Sequence, residues 1–347
     1  MSSTQIFVIG ATGYIGGQVL AQLLKHPKAK EAQYTVLVRS AEKAPKFSQL
    51  GPNVKGVVGS TNDTQLLTQL ASEADILISC ADADDLGATK AFLAGLKKRH
   101  EKTGSPPILI HTSGTGVLTD NAAGKHATDM IYSDANAEQI ESLKPTQIHR
   151  NVDLEIVEAD KQGYVKTYII LPSTIYGIAS SPLVDLGLQN PYSIQVPGLI
   201  KASLDRGQGG VVGEGKNLWP NVHIDDIASL YVVLFEAITN PAAAPAPAGH
   251  GREGFYFGEG GEHKLYDVSK TIAQVLYDLG KGKSPEPTTF SEEELQKYFG
   301  GAYLGSNSRA RGERSRAIGW KPKYTTEDLL KSIKPEVEAI IQKNGSK

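Results

Sequence analysis

Cysteine is all but absent. Cys80 is the single thiol in 347 residues, which excludes an internal disulfide and a cysteine-based zinc cluster and suits a reducing compartment. At the end of an apolar run, with no basic residue nearby in sequence, it is also a poor nucleophile. No apolar stretch approaches the roughly 20 residues that span a bilayer. The opening residues, Met1 to Gln5, lack the basic segment and cleavage site of a secretory signal. Neither sign of charge prevails: 36 basic against 38 acidic side chains leave a net charge of −2, so no overall field draws the chain to nucleic acid or an anionic membrane. These absences leave a cytoplasmic protein with small-molecule partners, no metal, no membrane and no nucleic acid as the expectation.

What is present has a regular rhythm. Ile6–Ile9, Thr35–Val38, Val54–Val58, Ile76–Cys80, Ile108–His111 and Thr167–Leu171 are short, near-continuously apolar runs of the kind buried on both faces of a parallel sheet. Helical patterns such as Gly16–Lys25, Thr64–Ala71 and Thr89–His100 lie between them. The alternation predicts an α/β fold with a doubly wound parallel Rossmann sheet and ligands at the carboxyl ends of its strands. Past residue 177 the rhythm breaks. Asp225–Ala237 is helical, 240–251 is a loop rich in proline and alanine, and Tyr266–Leu279, Ser291–Phe299 and Glu327–Gln342 are further helices.

Gly10, Gly13 and Gly16 follow the first strand and open the first helix, the context in which a glycine triad has physical meaning. Gly10 serves the tight turn, Gly13 lets backbone approach a pyrophosphate, and Gly16 lets helix pack on strand. With Thr12, Tyr14 and Ile15, this loop presents helix N-terminal donors to phosphate. The second strand ends in Arg39 and Ser40, where proteins that prefer NAD carry an acidic residue; an arginine there suits a 2′-phosphate, with help from Ser40 and Lys43. NADP(H) is therefore expected ahead of NAD, the alternative being that Arg39 is an ordinary surface arginine. Ser60 edges the adenine, Asp63 caps the next helix, and Ala81 and Pro172 complete the expected cofactor contacts. Residues 1–177 are thus expected to form an NAD(P)-binding Rossmann domain to which 211–240 return, with 178–210 and 241–347 forming a smaller C-terminal α/β substrate-binding domain.

Three further segments carry a resemblance. Leu171-Pro172-Ser173-Thr174-Ile175-Tyr176-Gly177 looks like an Arg-Pro-x-x-x-Tyr-Gly segment, Val222-His223-Ile224-Asp225-Asp226-Ile227-Ala228 like Val-His-Val-Asp-Asp-Val-Ala, and Ala317 to Pro322 like a Leu-Gly-Trp-x-Pro element. With the glycine loop and in this order, they resemble the extended short-chain dehydrogenase/reductase superfamily of epimerases, dehydratases and dihydroflavonol-type reductases. The resemblance covers almost the whole chain, and by analogy allows a homodimer.

The match fails at the catalytic positions the resemblance implies, a Ser or Thr after strand five and a Tyr-x-x-x-Lys pair. The fifth strand runs into His111-Thr112-Ser113-Gly114-Thr115-Gly116, so Ser113 or Thr115 is the candidate hydroxyl. Aligned on Asp153, the next helix puts His149 in place of the lysine and Pro145 in place of the tyrosine. The candidate proton donors are His149, which would also contact the nicotinamide ribose, and Tyr132 from the insertion between Val117 and Lys144. Tyr132 has the alternative of being a packed loop aromatic.

The substrate positions depart too. Nucleotide-sugar enzymes of the family hold a diphosphate with an arginine ahead of the Val-His element, where this chain has Trp219. A nucleotide sugar is not expected; Trp219 and Tyr176 are the candidate substrate contacts. Arg309, Arg311, Arg314 and Arg316 are either an anionic subsite or a solvated face. His223 and Asp225 are expected to be structural, the carboxylate capping the following helix. Two functions follow as expectations: an NADPH-dependent oxidoreductase acting on a small carbonyl or related compound, or a catalytically silent NADP-binding redox sensor of the NmrA-like kind.

Overall fold

The computed structural model describes residues 3–345. From the N-terminus come β1 (Gln5–Ile9), α1 (Tyr14–Leu23), β2 (Gln33–Val38), β3 (Val54–Val58), α2 (Thr64–Ala71), β4 (Ile76–Ser79), α3 (Leu86–Thr103) and β5 (Ile108–Thr112). Then follow β6 (Tyr132–Ser133), α4 (Ala137–Glu141), α5 (Arg150–Lys161), β7 (Lys166–Pro172), β8 (Thr174–Tyr176), α6 (Pro182–Asp185) and α7 (Gln195–Arg206). The remainder comprises β9 (Gly210–Val211), β10 (Leu218–His223), α8 (Ile224–Thr239), β11 (Phe255–Gly258), β12 (Gly261–Lys264), α9 (Leu265–Asp278), β13 (Thr288–Thr289), α10 (Glu292–Phe299), β14 (Ala310–Arg311), α11 (Glu313–Ala317) and α12 (Thr326–Gly345).

Seven parallel strands form the main sheet in the order β11-β7-β5-β4-β1-β2-β3, so successive crossovers run in opposite directions on either side of β1 and β4. A doubly wound sheet opens a crevice there, at its carboxyl edge. Apolar layers cover both faces. One joins Val19, Leu20 and Leu23 of α1 to Leu230, Tyr231 and Leu234 of α8; the other joins Leu93 and Leu96 of α3 to Val152 and Ile156 of α5. At about 1.5–3 kcal/mol per fully buried large aliphatic side chain, these layers hold the strand ends rigid.

The six expected strands are all present. The seventh, β11, is fully buried and pairs with β7, although it lies in the stretch expected to belong to the substrate region. It is short, aromatic rather than β-branched, and follows a proline-rich loop, so periodicity gave it no signal. The helix α3 is longer than expected because Asp85 caps it by accepting from Ala88 N–H, and it ends where Gly104 turns left-handed. A second mixed sheet, β12-β10-β8, and a core of Val196, Leu199, Ile200, Ile272, Leu276 and Ile333 build the C-terminal part beside the crevice.

Candidate functional site

The glycine loop does what its spacing predicts. Gly10 sits at φ +87°, and a Cβ there would lie 2.4 Å from the carbonyl oxygen of Cys80 on the neighbouring strand's end. A Cβ on Gly16 would lie 2.4 Å from Gly10 O, so helix α1 seats on the loop only because both positions lack side chains. Gly13 is the N-cap and offers no side-chain hydrogen bond, leaving the first N–H groups of α1 open toward the crevice. A groove of about 570 Å³ runs from there past Thr12, Leu37, Arg39, Gly59, Ser60, Asn62, Ala81 and Asp82. This cradle suits a dinucleotide: an anion site at the helix end, glycines allowing backbone approach, and a cation at the far end.

Arg39 is exposed in that groove and has neither an ion pair nor a side-chain hydrogen bond among the described residues. Ser40 is not among the groove's lining residues; its Oγ accepts from Lys43 N–H, and Lys43 Nζ reaches the carbonyl of Leu188. The turn after β2 thus uses both residues locally and leaves Arg39 as the free cation. Ser60 lines the groove, and Asp63 caps α2 by accepting from Leu66 N–H.

At Gly13, Cys80, Ala81 and Asn190 the groove opens into a second cavity of about 420 Å³. Tyr14, Ile15, Gly114, Thr115, Gly116, His149 and Pro172 line it from the sheet side; Tyr192, Ser193, Ile194, Gln195, Trp219 and Tyr303 line it from the C-terminal side. His149 is held unusually. It is one of two described non-glycine residues with positive φ, at +66°, and Asp84 Oδ1 accepts both its backbone N–H and its ring Nδ1–H at 2.9 Å. A left-handed histidine costs backbone energy, and the Asp84 carboxylate secures it. Because an ionised carboxylate only accepts, Nδ1 carries a proton, and Nε2 has no hydrogen-bond partner among the described residues. That Nε2 points along the loop after β5: a Cβ on Gly114 would lie 3.3 Å from it and one on Gly116 3.5 Å from it.

The same Gly116 Cβ position lies 2.4 Å from the hydroxyl of Tyr303, so phenol and imidazole meet at one glycine. Burial of the Tyr303 phenol, with the Asp84 carboxylate nearby, pushes its pKa up to about 12, although the residue is 39% exposed. It therefore stays protonated, a donor rather than a phenolate. Thr115 lines the cavity with its Oγ1 buried and unpartnered, as is the Oγ of Ser193. Unsatisfied buried hydroxyls are uncommon and call for a partner from outside the chain.

Several expected residues lie elsewhere. Ser113 points the other way along the strand end, where its Oγ donates to Asp153 Oδ2 at 3.2 Å; burial has raised the Asp153 carboxyl to about 7. Tyr132 lies in β6, paired with β14 and packed beneath the sheet, because its backbone N–H bonds Arg309 O. It is not among the cavity's lining residues. Tyr176 is 1% exposed, donates its hydroxyl to Thr325 O and belongs to the C-terminal core, not the cavity. The cap of α8 is the His223 ring, which accepts from Asp225 N–H, while Asp225 Oδ1 accepts from Gln18. The four C-terminal arginines offer no free anionic subsite: Arg309 makes two hydrogen bonds to Glu262, Arg311 pairs with Glu262 at 3.7 Å, Arg314 with Glu253 and Arg316, which is exposed, with Glu259. Cys80 lies where groove and cavity meet, but burial of the thiol pushes its pKa up to about 11, which keeps it a protonated, poor nucleophile.

Sequence reasoning missed Tyr303 and Asp84. Neither carries a motif: Tyr303 sits in a 3₁₀ turn more than 150 residues beyond His149, and Asp84 sits in a loop that reads as a helix approach.

A brace links the loop to the C-terminus. Tyr14 donates its hydroxyl to Gly177 O at 2.5 Å, and Glu336 of α12 accepts Gly177 N–H at 3.2 Å. Burial raises the Glu336 carboxyl from its ordinary range to about 7, against the hydrogen bonds from Gly177 and Ser332. A pKa raised by folding means stability that is full below the unfolded value and is lost as pH rises through the folded one. Between pH 5.0 and 7.5 wild type is expected to lose stability, and Glu336→Gln to shrink that loss by about 2 kcal/mol. Urea denaturation at the two pH values checks this; an unchanged difference would refute the buried neutral carboxyl.

The fold is like that of solved nucleotide-sugar epimerases and dehydratases. The UDP-glucose 4-epimerase of Thermotoga maritima superposes with TM-score 0.64 at 16% identity, over 98% of this chain and 99% of that one. The UDP-glucuronic acid 4-epimerase of Bacillus cereus gives 0.66 at 14%, over 97% and 100%. At such identities the likeness concerns the fold alone. Residues 10–148 match the family model described as NAD(P)H-binding, so the chain contains an NAD(P)H-binding domain. It is 29% identical to a protein named oxidase ucsJ from Acremonium sp, over 99% of this chain and 98% of that one. It is also 27% identical to an uncharacterised protein of Schizosaccharomyces pombe, over 93% and 96%. Among the described residues, no helix is long and apolar enough to cross a membrane.

Proposed function

We propose that the protein is an NADPH-dependent oxidoreductase acting on a small carbonyl or related unsaturated compound, not on a nucleotide sugar. The observation that carries this reading is the convergence of His149, oriented by Asp84, and the Tyr303 phenol on Gly116, beside the cavity into which the cofactor groove opens. When bound, the reduced nicotinamide would supply the hydride. The chain's own work is the proton. Tyr303, kept protonated by its raised pKa, donates to the oxygen that gains charge, and His149, through the free Nε2, moves protons between the cavity and solvent. Thr115, whose hydroxyl lacks a partner, polarises the acceptor. This arrangement substitutes for the missing Tyr-x-x-x-Lys.

The silent NADP-binding sensor remains the second reading, favoured by the absence of any lysine from the described residues that line the cavity. Fluorescence titration with NADPH, followed by oxidation assays on aldehydes, ketones and imines, separates the two. Tight binding without turnover on any of them, unaltered by His149→Ala, would leave only the sensor.

The preference for NADPH is supported by the unpaired Arg39 in the groove. A charge-assisted hydrogen bond contributes about 1.5–3 kcal/mol. Arg39→Leu is therefore expected to weaken NADPH roughly 10- to 100-fold and leave NADH unchanged. Equal losses for both, or wild type binding NADH more tightly, would contradict a 2′-phosphate contact.

A further inference from the structure

The cavity differs from the cofactor groove in one respect that bears on what enters it. The groove is lined by charges, with Arg39, Asp82 and Asp85 along its length. Among the described residues lining the cavity there is no Lys, Arg, Asp or Glu. Its walls are Tyr14, Ile175, Tyr192, Trp219 and Tyr303, with the neutral amides Asn190 and Gln195 and the hydroxyls of Ser173 and Ser193 between them. A carboxylate or phosphate placed there would be desolvated with no Lys or Arg to meet it and only the His149 imidazole, already paired with Asp84, whereas an uncharged group would find hydrogen-bond partners.

The C-terminal wall is aromatic and rigid. Trp219 and Tyr303 pack edge to face with centroids 5.7 Å apart and planes at 73°. The indole Nε1–H is committed to Ser306 O at 2.5 Å, so Trp219 turns only ring surface to the cavity. Only a small pocket of about 20 Å³ lies behind the indole, which leaves the ring no room to retract. Two rings at right angles offer one face and one edge, the partners that a third flat ring takes in stacked and T-shaped contacts. At the position ahead of the Val-His element, the fold supplies an aromatic corner in place of an arginine.

We infer that the substrate is an uncharged aromatic carbonyl compound whose ring packs against Trp219 and Tyr303, with charge excluded by the lining. The inference rests on the oxidoreductase reading for its carbonyl, but the ring and the neutrality can be tested without turnover. Methyl 4-formylbenzoate and 4-formylbenzoate share ring and aldehyde and differ in charge; cyclohexanecarbaldehyde keeps the aldehyde and lacks the ring. Calorimetric titration of each into the full chain saturated with NADP⁺ measures binding alone. The neutral aromatic aldehyde should bind at least 100-fold more tightly than the anion and at least tenfold more tightly than the saturated aldehyde. Trp219→Arg should narrow the charge gap to below tenfold. Gln195→Arg adds a cation at the same cavity without removing a buried ring and should narrow it too, which keeps the test open if the tryptophan variant misfolds.

Equal binding of neutral and anionic probes, tighter binding of the saturated aldehyde, no binding of any probe at millimolar concentration, or a gap untouched by Gln195→Arg would overturn the inference. Selective binding of the neutral aromatic probe without any NADPH oxidation in a parallel assay would uphold the pocket assignment while removing the oxidoreductase reading for this carbonyl.

Discussion

Replacing His149 with asparagine is expected to lower kcat on any carbonyl the protein reduces by roughly 10²- to 10⁴-fold, the usual worth of a positioned acid or base. Asparagine is the informative choice because it tolerates the left-handed backbone that His149 adopts at φ +66°. It also keeps a backbone N–H for Asp84, so what is lost is the imidazole and its free Nε2. NADPH affinity should change by less than a few-fold, since His149 is not among the residues that line the cofactor groove. Steady-state NADPH oxidation together with fluorescence titration separates the two effects. A variant with unchanged kcat would remove His149 from the chemistry; one with weakened NADPH and unchanged kcat would leave it only as a ribose contact.

Gly10→Ala is expected to weaken NADPH binding by more than 100-fold and to destabilise the fold by several kcal/mol. Two independent penalties coincide at this position. The backbone is left-handed at φ +87°, and the added methyl would meet Cys80 O at 2.4 Å, a strand terminus that cannot give way without disturbing β4. Any shift that relieves the clash also moves Gly13 and the open N–H groups of α1, because Gly13 N–H bonds Gly10 O. Calorimetric melting with and without NADPH checks both effects; retention of the cofactor-induced rise in Tm would contradict the role assigned to the loop.

The contrast between these residues explains what the sequence discloses. Strands β1 to β5 and β7 were legible because a sheet buried on both faces demands unbroken apolar runs, and the glycine loop because its turn tolerates few other residues. His149 was legible through its spacing to Asp153. Tyr303 and Asp84 were not: they reach the cavity from a 3₁₀ turn and a loop whose approach is set by tertiary packing, not by any local period. Tyr132 takes its alternative as a packed aromatic: pairing with Ala310 keeps it away from the cavity. The arginines between 309 and 316 resembled an anion site because sequence cannot show Glu253, Glu259 and Glu262 arriving from the preceding segment to neutralise them.

In the proposed reductase, imidazole and phenol replace the missing Tyr-x-x-x-Lys. The most direct test is single-turnover transfer of deuterium from 4-deuterated NADPH to an uncharged aromatic aldehyde, comparing wild type with Tyr303→Phe and His149→Asn. Deuterium is expected in the wild-type alcohol, with a rate lower by at least 100-fold in each variant and NADPH still bound. Wild type that binds NADPH tightly and transfers none, or variants that transfer it as fast as wild type, would contradict it.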